Sequence, residues 1–298
     1  MKVLVFGGEG FTGRHFLAHL AVEAQGTADP EVCATTLFPE PPRHGSDGGV
    51  CWLTGIDAAR IEDVRKAFAE SVPDHVVNLV GLFGSSSFDE LCRANVVTTW
   101  NILQVASENP QRVQRVLHIG SAAEYGRPER LPVDENHPLN PVSPYGLTKR
   151  LATEACLYAA RVKEVAVVIA RPFNFTGAGM PEALALGYFE RIIRETPEGQ
   201  SFEVGNIDTE RDFLPVETAV QRYWRIMRYG RPGHVYNVCS GKGTSIREML
   251  DAMIARSGKR VGYVVSEKRM RADDVPRIYG DDRKYRDEIE TAARADRL

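Results

Sequence analysis

Tyr145 and Lys149 stand four residues apart in Tyr145-Gly146-Leu147-Thr148-Lys149, directly after the helix-starting pair Ser143-Pro144. On a helix that spacing puts phenol and ammonium on one face. An ammonium close to a phenol favours the phenolate, so the pair predicts a tyrosine drawn down from about 10 towards the working pH. Such a tyrosine exchanges a proton with a sugar hydroxyl or a ketone. Ser121, in Gly120-Ser121-Ala122-Ala123-Glu124-Tyr125-Gly126, follows the apolar run 116–119. The C-terminal end of a strand is where open α/β sheets bind ligands, so its hydroxyl can hold a substrate oxygen beside Tyr145. No Gly-x-Ser-x-Gly elbow surrounds Ser121, and a hydrolase of that kind is excluded. Taken singly, YxxxK is a common surface pair and a loop serine usually bonds backbone. Their combination is what points to proton transfer.

A second group of residues binds rather than reacts. Gly7-Gly8-Glu9-Gly10-Phe11-Thr12-Gly13 follows the run 2–6 and opens a helical pattern, with Gly7, Gly10 and Gly13 fitting GxxGxxG. Missing side chains let the turn tighten and a diphosphate approach the backbone. The helix start, with Phe11 and Thr12, then faces it with free N–H groups and a positive dipole end. Dinucleotide folds that take NAD tend to carry an acid at the end of the second strand, for the ribose hydroxyls. Here that stretch reads Thr35-Thr36-Leu37-Phe38, without an acid, with Glu31 before it and Glu40 after it, while Arg43 and His44 follow and a cation can meet a 2′-phosphate. The expectation is therefore NADP(H), with NAD(H) possible. Asp57, next to Ala58, either contacts the adenine amine or only begins a turn.

These groups need a scaffold, and the chain supplies alternation. Runs at 2–6, 32–38, 75–79, 116–119 and 165–170 are nearly continuous in apolar residues, as parallel strands buried on both faces are. Helical spacing occupies 11–23, 61–69, 88–108 and 144–161 between them. The pattern predicts an α/β fold, a doubly wound parallel (Rossmann) sheet over 1–171. Beyond Arg171 the alternation breaks. Helical stretches at 181–194, 215–228 and 245–255 mix with short strands at 201–204, 234–238 and 261–265. That is the make-up of a smaller α+β substrate domain over 172–298, with some later segments returning to the sheet.

Composition sets the outer bounds. The 298 residues are 43% hydrophobic and 26% charged with a formal charge of −3, an ordinary globular balance that argues against a nucleic-acid partner. Five scattered cysteines without CxxC spacing indicate neither a zinc site nor a disulfide framework. No apolar run approaches a membrane span, so the expected place is the cytoplasm. His15 and His19 lack an evident third ligand, and no metal is expected.

The glycine turn, Ser121, and Tyr145 with Lys149 together resemble the extended short-chain dehydrogenases/reductases, in the sugar-nucleotide branch of NAD-dependent epimerases and dehydratases. The resemblance implies that Tyr145 is the acid/base, that Ser121 aids carbonyl polarisation and that Lys149 also holds the nicotinamide ribose. Asn78-Leu79-Val80-Gly81 matches that branch's cofactor loop, which adds Leu79, Val80 and Gly81. Residues 171–180 are similar to the RPFNHxGPGQ stretch of GDP-4-keto-6-deoxymannose reductases, with Phe175 in place of His. Residues 204–213 resemble their GNLxxxRDF segment, 235–248 their YNVxSG…SIRE segment, and 271–276 their RPxDVP, with Ala272 for Pro. A nucleoside diphosphate needs cations and amide donors, which Asn174, Arg211 and Arg271 can supply, while Asp274 can accept from ribose or base.

Related 4,6-dehydratases carry an acid two residues beyond the Ser121 position. Here that residue is Ala123, and Glu124, one further on, is expected to point elsewhere. Dehydration is not expected. The expected function is NADP(H)-dependent reduction of a nucleoside-diphospho-4-keto-6-deoxy sugar, GDP-linked by the resemblance. A nucleotide-sugar 4-epimerase with tightly bound NAD is the alternative, and a non-catalytic dinucleotide sensor a third. In the resembling family the helices at 88–108 and 144–161 pair into a four-helix bundle, which implies a homodimer.

Overall fold

The computed structural model describes residues 1–24, 30–42, 49–84, 86–270 and 274–296. In chain order, β1 (Lys2–Phe6), α1 (Phe11–Glu23), β2 (Glu31–Thr35), β3 (Cys51–Leu53), α2 (Ile61–Ser71) and β4 (His75–Asn78) come first. Then follow α3 (Phe88–Leu91), a π-helical segment (Cys92–Val97), α4 (Thr98–Ser107), β5 (Arg115–Ile119), α5 (Pro144–Val162), β6 (Val167–Pro172) and β7 (Asn174–Thr176). The remainder is α6 (Ala185–Glu195), β8 (Ser201–Val204), β9 (Glu210–Pro215), α7 (Val216–Tyr229), β10 (Val235–Val238), β11 (Gly243–Ser245), α8 (Ile246–Ser257), β12 (Gly262–Val265), β13 (Arg277–Ile278) and α9 (Thr291–Ala295).

Seven parallel strands form the main sheet in the order β10-β6-β5-β4-β1-β2-β3. Alternate residues of β1 feed opposite cores, because successive strand side chains point to opposite faces. Val3 and Val5 join Phe16 and Leu20 of α1 and Tyr223 and Trp224 of α7. Leu4 and Phe6 join Val64 and Phe68 of α2, Ile102 of α4 and Cys156 of α5. This two-sided cover is why the strands read as unbroken apolar runs. The expected doubly wound sheet is present, and β10 and α7 return to it from late in the chain.

A smaller sheet, β11-β9-β13 with β7 on β9, lies beside a two-stranded pair of β8 and β12. One buried carboxylate fixes its position. Asp212 of β9 accepts from the amides of Ser240 (2.6 Å) and Gly241 (2.9 Å) just past β10, and of Gly280 (3.2 Å) just past β13. Burial pushes its pKa up and those bonds oppose the rise.

Among the elements that differ from the sequence reading, three lie in the first half; in the second half β7, β9, β11, β13 and α9 lie outside the expected elements. The second strand stops at Thr35, because the Thr36 amide turns to the Leu53 carbonyl and Phe38 accepts from Gly55. β3 is only three residues long, too short to leave a periodic signal. The helix expected over 88–108 carries a π-helical segment, inside which Asn95 is buried. Asn95 accepts from the Leu82 amide (2.9 Å) and donates to the Leu82 carbonyl (3.0 Å) and the Thr148 hydroxyl (3.0 Å). The widened turn thus aims one amide side chain at both the loop after β4 and α5, a use typical of π segments.

Candidate active site

The reactive groups gather past the C-terminal ends of β5 and β6. Pro144 at the first turn and Ser143, whose hydroxyl accepts from the Gly146 amide (3.1 Å), start α5 and fix where Tyr145 and Lys149 project. The Ser121 hydroxyl lies close enough to the Tyr145 phenol to oppose the rise of its pKa. It also accepts from the Ala123 amide at 3.2 Å. Lys149, only 4% exposed, donates from Nζ to the Ile119 carbonyl at 2.5 Å.

Electrostatics at this site run against the sequence expectation. The Tyr145 phenol is pushed up, not drawn down, because burial disfavours the phenolate and outweighs the Ser121 hydrogen bond; Glu124 raises it further. Lys149 is instead pulled down to about 8 by burial, against the opposing charge of Glu124. Its ammonium is spent on a backbone carbonyl rather than on the phenol. Tyr145 therefore rests as a protonated acid, and Lys149 still carries its charge at pH 7.

Glu124 does point away from the reaction space, as expected, and its destination is informative. It is fully buried, with Oε1 accepting from the Ser121 amide (2.7 Å) and Oε2 from Arg171 Nη2 (2.7 Å). Arg171, 2% exposed, also donates to the Tyr125 hydroxyl (3.0 Å) and stacks on that ring at 4.7 Å. Tyr125 donates onward to Asn237 of β10 at 2.8 Å. Sequence reasoning missed this network, although Ser121-x-x-Glu124 is the capping-box pattern and both its bonds are made.

The glycine turn has the shape a diphosphate needs. Gly7 has φ +79, and a Cβ there would stand 3.0 Å from the Val80 amide nitrogen. A Cβ at Gly13 would stand 2.2 Å from the Gly7 carbonyl oxygen, so α1 crosses the turn at backbone contact. No side chain caps α1 at Gly10, which leaves the first-turn amides of Phe11, Thr12 and Gly13 to an anion. The turn and the Leu79-Val80-Gly81 loop pack together, and a Cβ at Gly81 would lie 4.0 Å from Lys149 Nζ. A nicotinamide dinucleotide fits these residues.

Other expected residues are placed less simply. Asp57 begins a turn, bonding the Ala59 amide (2.9 Å) through Oδ1 and Arg93 (2.5 Å) through Oδ2. Ala58 is buried, and its carbonyl accepts from Asn101 at 3.1 Å. Asn174, just past β6, is exposed and donates to the Asp212 carbonyl at 3.2 Å. Arg211 shares a face of β9 with Phe213, the register partner of Asn174, and its pKa is lowered by burial against the nearby charge of Asp274. Arg211 of β9 thus lies near the charge of Asp274, and β7 sets Asn174 alongside the same strand. Phe175 packs on the main core. Arg43 and Arg271 lie outside the described residues.

An acid does reach the end of β2, contrary to the sequence reading. Glu9 of the glycine turn accepts from the Leu37 amide through Oε1 at 3.4 Å. No sequence signal reports it, because the contact joins residues 28 apart.

A model of the NAD-dependent epimerase/dehydratase family matches residues 3–239. The chain belongs to that family. Its members of known kind include reductases and epimerases of nucleotide sugars. GDP-6-deoxy-D-mannose reductase of Pseudomonas aeruginosa is 29% identical over 295 residues, covering 96% of this chain and 90% of that one. A probable UDP-arabinose 4-epimerase of Arabidopsis thaliana is 26% identical over 98% of this chain and 77% of that one. The structure of RMD from Pseudomonas aeruginosa complexed with NADPH superposes with a TM-score of 0.77 at 26% identity, covering 97% of this chain and 93% of that chain. The chain is accordingly an enzyme of the NAD-dependent epimerase/dehydratase family, similar to nucleotide-sugar reductases and epimerases and to a structure that holds NADPH. No helix among the described residues is long and apolar enough to cross a membrane.

The Glu124–Arg171 pair yields a stability expectation. Removing one partner of a buried pair strands the other charge, at about 3–5 kcal/mol. Arg171→Met should lower unfolding stability by that order in urea titrations at neutral pH. A loss below about 1 kcal/mol would show the pair to be solvated and the network unimportant.

Proposed function

We propose that this chain reduces the 4-keto group of a nucleoside-diphospho-6-deoxyhexose, GDP-linked, to the corresponding alcohol. The observation that carries the reading is a phenol kept protonated by burial beside a serine hydroxyl, with a cationic lysine a turn away. An acid that must deliver a proton needs to hold one at rest. Bound reduced nicotinamide supplies the hydride. Ser121 donates a hydrogen bond to the carbonyl oxygen, and Tyr145 gives its phenolic proton to that oxygen as negative charge develops there. Lys149 then offsets the charge left on the phenolate. Asn174, Arg211, Arg271 and Asp274 serve the nucleotide end, with Arg211 as the described cation.

The similarity to GDP-6-deoxy-D-mannose reductase, over nearly the full length of both chains, favours reduction of a GDP sugar. One observation favours the second reading, a 4-epimerase: the carboxylate of Glu9 at the end of β2 suits an unphosphorylated ribose, and an epimerase must retain its dinucleotide through the cycle. The choice between NADP(H) and NAD(H) turns on Glu9 as well as on Arg43. Ala123 leaves no second acid for elimination of water. The division into a dinucleotide domain over 1–171 and a mainly nucleotide-sugar domain over 172–298 follows from the same reading. Five free thiols suit a reducing cytoplasm.

Incubation with a panel of nucleoside-diphospho-4-keto-6-deoxy sugars and reduced dinucleotide tests the function. Stoichiometric dinucleotide oxidation is expected with a GDP-linked substrate, and Tyr145→Phe should lower kcat by about 10²–10⁴. Interconversion of C4 epimers without net oxidation would replace the reductase by the epimerase, and an unimpaired Tyr145→Phe would remove the proton donor.

The exposed faces of α4 and α5 support a homodimer. Trp100, Leu147, Leu151, Tyr158 and Val162 are each about two-fifths or more exposed, and Trp100 lies 6.1 Å from Tyr158 between ring centroids. Such a contiguous apolar patch on paired helices marks an association surface. Sedimentation equilibrium should give a dimer and Leu151→Glu a monomer; a monomeric wild-type chain at micromolar concentration would contradict it.

A further inference from the structure

Glu9 occupies the place where a dinucleotide's adenosine ribose meets this kind of fold, between the glycine turn and the end of the second strand. Its Oε1 accepts from the Leu37 amide at 3.4 Å. Its Oε2 is buried with no hydrogen-bond partner among the described residues. The other polar side chains at that strand end are turned to backbone: Thr35 accepts from the Gly7 amide (3.4 Å) and Thr36 from the Phe38 amide (3.1 Å). A buried carboxylate oxygen without a donor is costly, and a ligand hydroxyl would satisfy it.

We propose that Glu9 selects NAD(H) over NADP(H), its carboxylate taking the 2′- and 3′-hydroxyls of the adenosine ribose. An ionised carboxylate only accepts hydrogen bonds, which matches two hydroxyl donors. A 2′-phosphate at that point would set acceptor against acceptor and negative charge against negative charge. The glycine turn thereby carries the acid that other NAD-binding folds place on the second strand. The expectation of NADP(H), drawn from the absence of an acid within Thr35-Thr36-Leu37-Phe38, is revised accordingly. The inference rests on the reading of the turn as a dinucleotide site.

Titration of the purified protein with NADH and NADPH, followed by calorimetry at one ionic strength, separates the two claims. Wild-type protein should bind NADH about tenfold or more tightly than NADPH, or roughly 1.4 kcal/mol. ADP-ribose and its 2′-phosphate should show the same ratio, because the nicotinamide takes no part in it. Glu9→Gln and Glu9→Ser should each shrink the ratio severalfold, chiefly by tightening NADPH. Equal or tighter NADPH binding by wild-type protein, or an unchanged ratio in both variants, overturns the assignment of Glu9. Failure of every dinucleotide to bind the folded wild-type chain overturns the dinucleotide site along with it.

Discussion

The carboxylate of Glu124 holds the Ser121 amide with one oxygen and the Arg171 guanidinium with the other, out of reach of solvent. Ser121 follows β5 and Arg171 belongs to β6, so this one group ties two neighbouring strand ends together. Arg171 extends the tie through Tyr125 to Asn237 on β10. Three of the seven strands are thereby locked at the end where the reactive groups stand. In a low-dielectric interior each such bond is strong, and each unpaired member would be expensive. The position of Ser121 is set by those partners.

The same carboxylate acts at a distance. Its negative charge supports the ammonium of Lys149, which burial alone would discharge further, and it disfavours a phenolate at Tyr145. A tyrosine and a lysine on one helix face do not by themselves determine which of them gives way. Burial decides it here: together with Glu124 it keeps the proton on the phenol, and against Glu124 it moves the amine towards neutrality. This polarity suits reduction, in which the protein must deliver a proton rather than take one.

Much of the fold was legible because strands covered on both faces leave apolar runs, and the helices between them leave amphipathic ones. β1 and α1 were read with their observed limits for that reason. β3 and the π-helical segment were not legible, one being too short and the other keeping a helical pattern. At the site, Ser121, Tyr145, Lys149 and the glycine turn announce themselves by local spacing. Glu9 does not, because its role depends on β1 and β2 lying side by side. Arg171 and Glu124 belong to motifs the sequence displays, yet their partnership exists only once β5 and β6 pair. The direction of the Tyr145 shift was misread for a related cause: spacing reports that an amine is near a phenol, but not that a carbonyl has claimed it.

Titration of Tyr145 in the free protein tests the central claim most directly. Ring-carbon NMR of labelled tyrosine, with Tyr145→Phe to assign the resonance, reads the protonation state of that one phenol. It should ionise above its ordinary value of 10.0. A phenolate forming below that value would mean that Lys149 governs the phenol after all, and that burial and the Glu124 network do not.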